Sequence, residues 1–302
     1  MLDVTQPDLT DGSPSLGASA VCPQRSSDAD LQRAEGSGRI VVSGSETRTR
    51  IVDVFQRYPI RIMLPTAGNG PVEEAVFVNT AGGVAGGDRL ESHVTALPHA
   101  SLAVTSQAAE RVYRALNEPA RIATKLQACE AAQLAWLPQE TITFNGARLT
   151  RQTEIELSSG AKLLALECLV LGRAAHGEQM VGGQITDSWR VKKDGRLIWA
   201  DSFRVTDEAF PRLCGKALLS NCRAIGTLLY FGPCLDARLR FLRDIGSALE
   251  CQCAATSIAG LIIVRFAAAF SYDLRVALRS LLQQFSPELG PGPFRVPKMW
   301  SC

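Results

Sequence analysis

Asn79-Thr80-Ala81-Gly82-Gly83-Val84-Ala85-Gly86-Gly87-Asp88-Arg89-Leu90 sets two glycine pairs around a small apolar dipeptide and follows them with an acid–base pair. Glycine pairs admit positive φ and let one backbone pass close to another or to a ligand. What comes next decides the fold. A dinucleotide fingerprint or a P-loop needs a helix directly after its glycines, and the P-loop also needs Lys-Ser or Lys-Thr. Gly82, Gly83, Gly86 and Gly87 have neither spacing, and Asp88-Arg89-Leu90 leads into strand-like sequence. The run reads as a tight β turn or bulge that positions Asp88, whose carboxylate can accept backbone hydrogen bonds.

The flanking sequence is also strand-like, with no internal repeat of fixed period. Short runs rich in β-branched residues occupy 39–42, 50–55, 60–64, 74–78, 93–97 and 102–105. Others follow at 121–126, 133–137, 141–144 and 152–157, separated by polar turns. Asp194-Gly195 joins 188–191 to 197–199 as a hairpin, and Asn145-Gly146 is a second turn dipeptide. No helices of 10–15 residues alternate with these strands, which disfavours a parallel α/β sheet. The chain is predicted to be mainly β.

The C-terminal third changes character. Segments 213–229, 236–249 and 272–285 repeat apolar residues at helical spacing, with Leu274, Leu278, Leu281 and Leu282 as one stripe. Pro287, Pro291, Pro293 and Pro297 then stop helix formation. At the other end, residues 1–30 carry Asp3, Asp8, Asp11, Asp28 and Asp30 against Arg25, without apolar periodicity. That segment is expected to be a disordered acidic tail. The expected organisation of 31–302 is therefore a strand-rich part over 37–206, a helical part over about 207–285 and an extended tail over 286–302.

Composition narrows the function. Thirty-two basic residues are interspersed with 30 acids for a formal charge of +2, so no nucleic-acid partner is expected. The N-terminus lacks a basic segment followed by an apolar core, and 258–270, the most apolar stretch, is too short to span a bilayer. No membrane association is expected. Nine scattered cysteines, an odd number, argue against a disulfide framework and for a reduced, cytoplasmic setting.

Three histidines, none at helical ligand spacing, and a lone Cys251-Gln252-Cys253 leave no zinc or iron–sulfur pattern. Carboxylates remain: Asp88, Glu110, Glu140, Glu167 and Glu178 all lie in or beside apolar strand segments. Oxygen ligands hold first-row divalent metals less tightly than thiolate or imidazole, so such a set could pass a metal along. The alternative is that each acid pairs with a nearby base such as Arg89, Arg111 or Arg173. No Gly-x-Ser-x-Gly elbow appears, and no histidine accompanies Thr105 and Ser106, so hydrolase chemistry has little support.

Four blocks together resemble the family of the urease accessory protein UreD, also called UreH. They are the glycine turn 79–90; Thr105-Ser106-Gln107-Ala108-Ala109-Glu110-Arg111-Val112-Tyr113-Arg114; Trp136-Leu137-Pro138-Gln139-Glu140-Thr141-Ile142 with Phe144-Asn145-Gly146-Ala147-Arg148; and Glu167-Cys168-Leu169-Val170-Leu171-Gly172-Arg173-Ala174-Ala175-His176-Gly177-Glu178. Pro297-Lys298-Met299-Trp300 looks like the family's C-terminal signature. The resemblance implies a β-helical stack of short strands with a small C-terminal helical part. It also implies a non-enzymatic scaffold that binds apo-urease with UreF-like and UreG-like partners, the latter a GTPase, and passes nickel through an internal polar channel. No cofactor would be permanently bound; nickel would be transient.

Carried onto this chain, Asp88, Glu110, Glu140, Glu167 and Glu178 are the implied path residues. Thr105, Ser106 and Arg173 are polar neighbours, and Lys298, Met299 and Trp300 an implied partner contact. Two departures stand out: the acidic tail is longer than the family usually carries, and the His or Pro that many members have ahead of the glycines is missing, which speaks against a histidine-based nickel site near the turn. A purely structural scaffold is the alternative, and a β-helical hydrolase using Glu140 with Asp88 a more distant one.

Overall fold

The computed structural model describes residues 33–301 except 46, 66–70, 174–176, 179, 214 and 217. The predicted acidic tail and His176 lie outside the described residues. The architecture is the expected solenoid-like stack of strands. The chain enters through β1 (Glu35–Gly44), β2 (Thr49–Arg57), β3 (Ile60–Met63) and β4 (Glu73–Asn79). It then winds in coils. The first coil is β5 (Arg89–Ala96), β6 (Ser101–Ser106) and β7 (Glu110–Val112); the second is β8 (Ala120–Ala128), β9 (Gln133–Trp136) and β10 (Thr141–Thr143). In the third, β11 (Arg148–Leu157) is followed by β12 (Lys162–Leu171), long enough to pair with both β9 and β10.

Stacking the coils makes parallel ladders β1-β5-β8-β11-β13 on one face and β4-β6-β9-β12 on the other, with β13 spanning Gln184–Lys193. A short third face holds β7, β10 and the end of β12. The hairpin partner β14 (Arg196–Val205) and β2 close the edges of the first sheet. Its turn is the predicted Asp194-Gly195, both residues at positive φ.

The glycine run belongs to the third face. Val84 forms a parallel bridge to Val112, donating to the Arg111 carbonyl and accepting from Tyr113 N–H. The run must therefore lie flat against the next coil. A Cβ on Gly83 would stand 2.5 Å from the Tyr113 ring, and one on Gly86 2.6 Å from both Ala115 Cβ and the Glu118 carbonyl oxygen. These positions need glycine for close approach, as the sequence suggested, and no helix follows them.

Alternation explains the layers. In β11, Leu149, Ile155 and Leu157 face inward while Thr150, Gln152 and Glu156 face out. β12 reads Leu-Leu-Ala-Leu-Glu-Cys-Leu-Val-Leu after Lys162 and is buried on both faces, as a strand covered on both sides requires. Its outer face carries a second core under α2 (Leu235–Ser247) and α3 (Ser271–Glu288).

The expectation of a helix over 213–229 is corrected: that span takes in only the last residue of the four-residue α1 (Phe210–Leu213), and it ends in β15 (Ala224–Phe231). Both faces of β15 are buried, so its apolar run mimics a buried helix. Gly226 and the Thr-Leu-Leu-Tyr-Phe that follows favour a strand, and pairing with β12 settles it. A hairpin of β16 (Gln252–Ile258) and β17 (Leu261–Ala268) extends the same sheet, so the part expected to be helical holds three strands beside its helices. Among the described residues no helix is long and apolar enough to cross a membrane.

Candidate functional site: a polar seam between the sheets

Arg151 is in phase with Leu149, Ile155 and Leu157, so β11 delivers it to the interior, where it is 2% exposed. A guanidinium there is tolerated only if fully paired. It is. Nε and Nη2 donate to both oxygens of Asp187 on β13 at 2.9 and 2.7 Å, a bidentate fork. Nη1 donates to Glu167 Oε2 on β12 at 2.9 Å and to Thr141 Oγ1 at 3.0 Å. Trp136 Nε1 holds the other Glu167 oxygen at 2.9 Å. Burial works against the charge on Arg151, but Asp187 and Glu167 outweigh it and keep the guanidinium protonated. Burial pushes the Glu167 carboxyl up, with Arg151 and the Trp136 N–H pulling the other way.

The Arg151–Glu167 pair bridges β11 of the first sheet and β12 of the second, and it lines two cavities. The first, about 250 Å³, is lined by Asn79, Ser106, Glu110, Thr124 and Trp136 together with the pair. The second, about 210 Å³, is lined by Asp187, Asp201, Thr227 and Arg265 together with the same pair. A register row of hydroxyls, Ser92, Thr124 and Thr153, runs across the inner face of the first sheet. Thr153 is fully buried, and its oxygen has no hydrogen-bond partner among the described residues. At the far end Arg265 donates to Thr227 Oγ1 and pairs with Asp201. A polar seam thus crosses an otherwise apolar interior.

Of the acids singled out in the sequence, the fold brings Glu110 and Glu167 to one cavity, with Ser106. Glu110 is half-buried, and Asn79 Nδ2 donates to both of its oxygens at 3.0 and 3.1 Å. Burial pushes its carboxyl up to about 7, against the Asn79 N–H. The folded chain therefore holds this proton more tightly than the unfolded chain. The stability it contributes is complete below pH 4.5, the ordinary value, and is lost as pH rises through about 7. Between pH 5 and 8 the native chain is expected to lose on the order of 2 kcal/mol more than Glu110→Gln, the rest being screened by solvent. Urea titrations at both pH values measure this; parallel losses would show that Glu110 is not the titrating group.

The other acids stand elsewhere. Asp88 is buried, and its oxygens accept the Ala34 and Ala85 N–H groups at 2.8 Å each, the backbone role the turn suggested. Glu178 takes a bidentate grip from Arg173, which also lies over the Phe144 ring. Glu140 faces Arg275 at 3.8 Å. Thr105 is on the opposite face of β6 from the cavity and donates to the Leu137 carbonyl. Trp300, expected as a partner contact, is instead buried, with its indole N–H on the Leu137 carbonyl at 3.0 Å. An amphipathic side chain that finds an apolar bed and an acceptor within its own chain has no face left to offer. Lys298 is exposed and Met299 half-buried. Among the described residues no three of His, Cys, Asp or Glu are grouped to hold one metal ion.

Arg151, Asp187, Asp201, Thr227, Arg265 and Trp136 were not picked out as site residues in the sequence. For Arg151 the signal was present: a charged residue on the apolar phase of a strand.

Fold and seam together define a β-solenoid domain whose apolar interior is crossed by a polar seam. Residues 34–301 match the family described as UreD urease accessory protein. The chain is 43% identical over 254 residues to the urease accessory protein UreD of Xanthobacter autotrophicus, covering 84% of this chain and 87% of the relative. It is 38% identical over 272 residues to that of Brucella suis, covering 90% and 95%, and 38% identical over 276 residues to that of Chelativorans sp., covering 91% and 96%. The chain belongs to the UreD urease accessory protein family.

Proposed function

We propose that the chain is a non-enzymatic cytoplasmic scaffold for urease maturation that gives nickel a polar route through its interior towards apo-urease, in complex with UreF-like and UreG-like partners. The partners and the metal come from family membership; the observation that carries the route is the seam. Two cavities meet at one ionised cluster inside a core that has no structural need of charge, since buried ion pairs add little stability over apolar packing. Glu110 and Ser106 stand at the first cavity and Asp201 at the second. Oxygen donors spread along the seam, rather than grouped, suit a cation that must leave again.

Asp88, Glu140 and Glu178 serve the scaffold instead, because each is engaged by a neighbouring group of the chain and none of the three lines either cavity. This is the specific observation that favours a structural role for part of the acid set.

Glu110→Gln keeps the shape of the side chain and removes its charge. With the partner complex still assembling, the initial rate of urease activation at limiting nickel is expected to fall about tenfold, the equivalent of about 1.4 kcal/mol. Asp88→Asn is expected to leave that rate unchanged in whatever fraction stays folded. A native rate for Glu110→Gln would remove the route through the first cavity and leave the scaffold reading.

A further inference from the structure

Arg151 and Glu167 line both cavities. Arg151 comes from β11 of the first sheet and Glu167 from β12 of the second, and their 2.9 Å bond spans the gap between the sheets. The first cavity is also lined by Thr124 and Trp136, the second by Asp187 and Thr227. We propose that Arg151 is the gate of the seam: its guanidinium seals the junction in the free chain, and its release from Glu167 joins the two cavities. The inference rests on the reading of the seam as a cation route.

The chemistry of the contact fits a gate better than a brace. The guanidinium is anchored on two sides: a bidentate fork holds Asp187 in the adjacent strand of its own sheet, and Nη1 alone reaches across the gap to Glu167, Thr141 and the Cys168 carbonyl of the second sheet. The cross-gap bonds, all on Nη1, can break while Asp187 keeps the charge compensated. Glu167 is then left with only the Trp136 N–H and is free to meet another cation. Thr141 and the Cys168 carbonyl add the remaining bonds to the same Nη1 that crosses the gap, at 3.0 and 3.3 Å. While Nη1 occupies Glu167, that carboxylate has no free oxygen to offer a cation, so the route is closed at rest.

The test uses the full chain in its maturation complex with urease and nickel. Arg151→Lys keeps one positive charge but cannot fork Asp187 and reach Glu167 and Thr141 together. Its initial rate of urease activation is expected to rise at least threefold, with complex assembly unchanged. A brace would behave in the opposite sense, because loosening it lowers the folded fraction and slows activation. A rate at or below native for a folded, assembling Arg151→Lys overturns the gate. Should that variant fail to accumulate, Thr141→Val removes one of the Nη1 bonds without touching charge, and a smaller rise, to about twofold, is expected; no rise overturns the gate. Glu110→Gln, run in parallel, separates the two ideas. If it slows activation while the Arg151 and Thr141 variants do not speed it, the gate falls and the route stands. If it too leaves the rate unchanged, the route itself falls and the gate falls with it.

Discussion

Replacing Arg151 by methionine is expected to lower the stability of the chain by about 3–5 kcal/mol, the usual cost of stripping one partner from a buried ion pair. Methionine fills much of the volume, so the loss is electrostatic rather than a cavity effect. Asp187 and Glu167 would be left in the interior without a counter-ion, and with them a bare Thr141 hydroxyl and Cys168 carbonyl. Adding Glu167→Gln and Asp187→Asn removes both orphaned charges and is expected to recover most of the loss, since amides cost far less to bury. Urea titrations of the single and triple variants check this. A triple variant no more stable than Arg151→Met would mean that packing, not charge, holds the seam. The same reasoning explains why lysine, which leaves the charge in place, is the informative replacement for the gate.

Trp300→Ala is expected to cost a similar amount, about 3–5 kcal/mol, for a different reason. The indole is buried in the second core, beside the aromatic and leucine residues of α3 and the tail. Removing it leaves a cavity and frees the tail from the sheet. Its N–H bond matters less: the Leu137 carbonyl also accepts from the Thr105 hydroxyl at 2.7 Å, so Trp300→Phe leaves no orphaned acceptor. That variant is expected to cost about 1 kcal/mol. Lys298→Ala, exposed and two residues away, is expected to stay within about 0.5 kcal/mol. The three variants rank the tail by denaturation midpoint. A tolerated Trp300→Ala would return this residue to the surface and to partner binding, as the sequence alone had suggested.

These predictions fall on residues of very different legibility. The turn 79–90 could be read directly: glycines without a following helix mean close backbone approach, and Val84 indeed sits between glycine pairs as a rung of the third face. Strand periodicity located β1 to β6, β8 to β11, β13 and β14, because short alternating runs leave few other solutions, but it did not pick out the three-residue β7 or the doubly buried β12. It failed at β15, whose two buried faces erase the alternation that distinguishes strand from helix. The acids were legible as a list and not as a site. Glu110 and Glu167 are separated by two coils in sequence but share a cavity, whereas Asp88, closest to the most conspicuous motif, turned out to hold its own turn.

The sequence by itself determined the strand-rich character, the place of the glycine turn, the resemblance to urease accessory proteins and the supply of carboxylates. All of these depend on local backbone chemistry or on residue identity, which a linear reading carries. Only the tertiary structure decided which charges meet. Arg151, Glu167 and Asp187 come from three strands in two sheets, and their contact follows from coil stacking and register, which no single strand encodes. It also decided that Trp300 faces inward, because an amphipathic residue takes whichever apolar surface the fold leaves open to it.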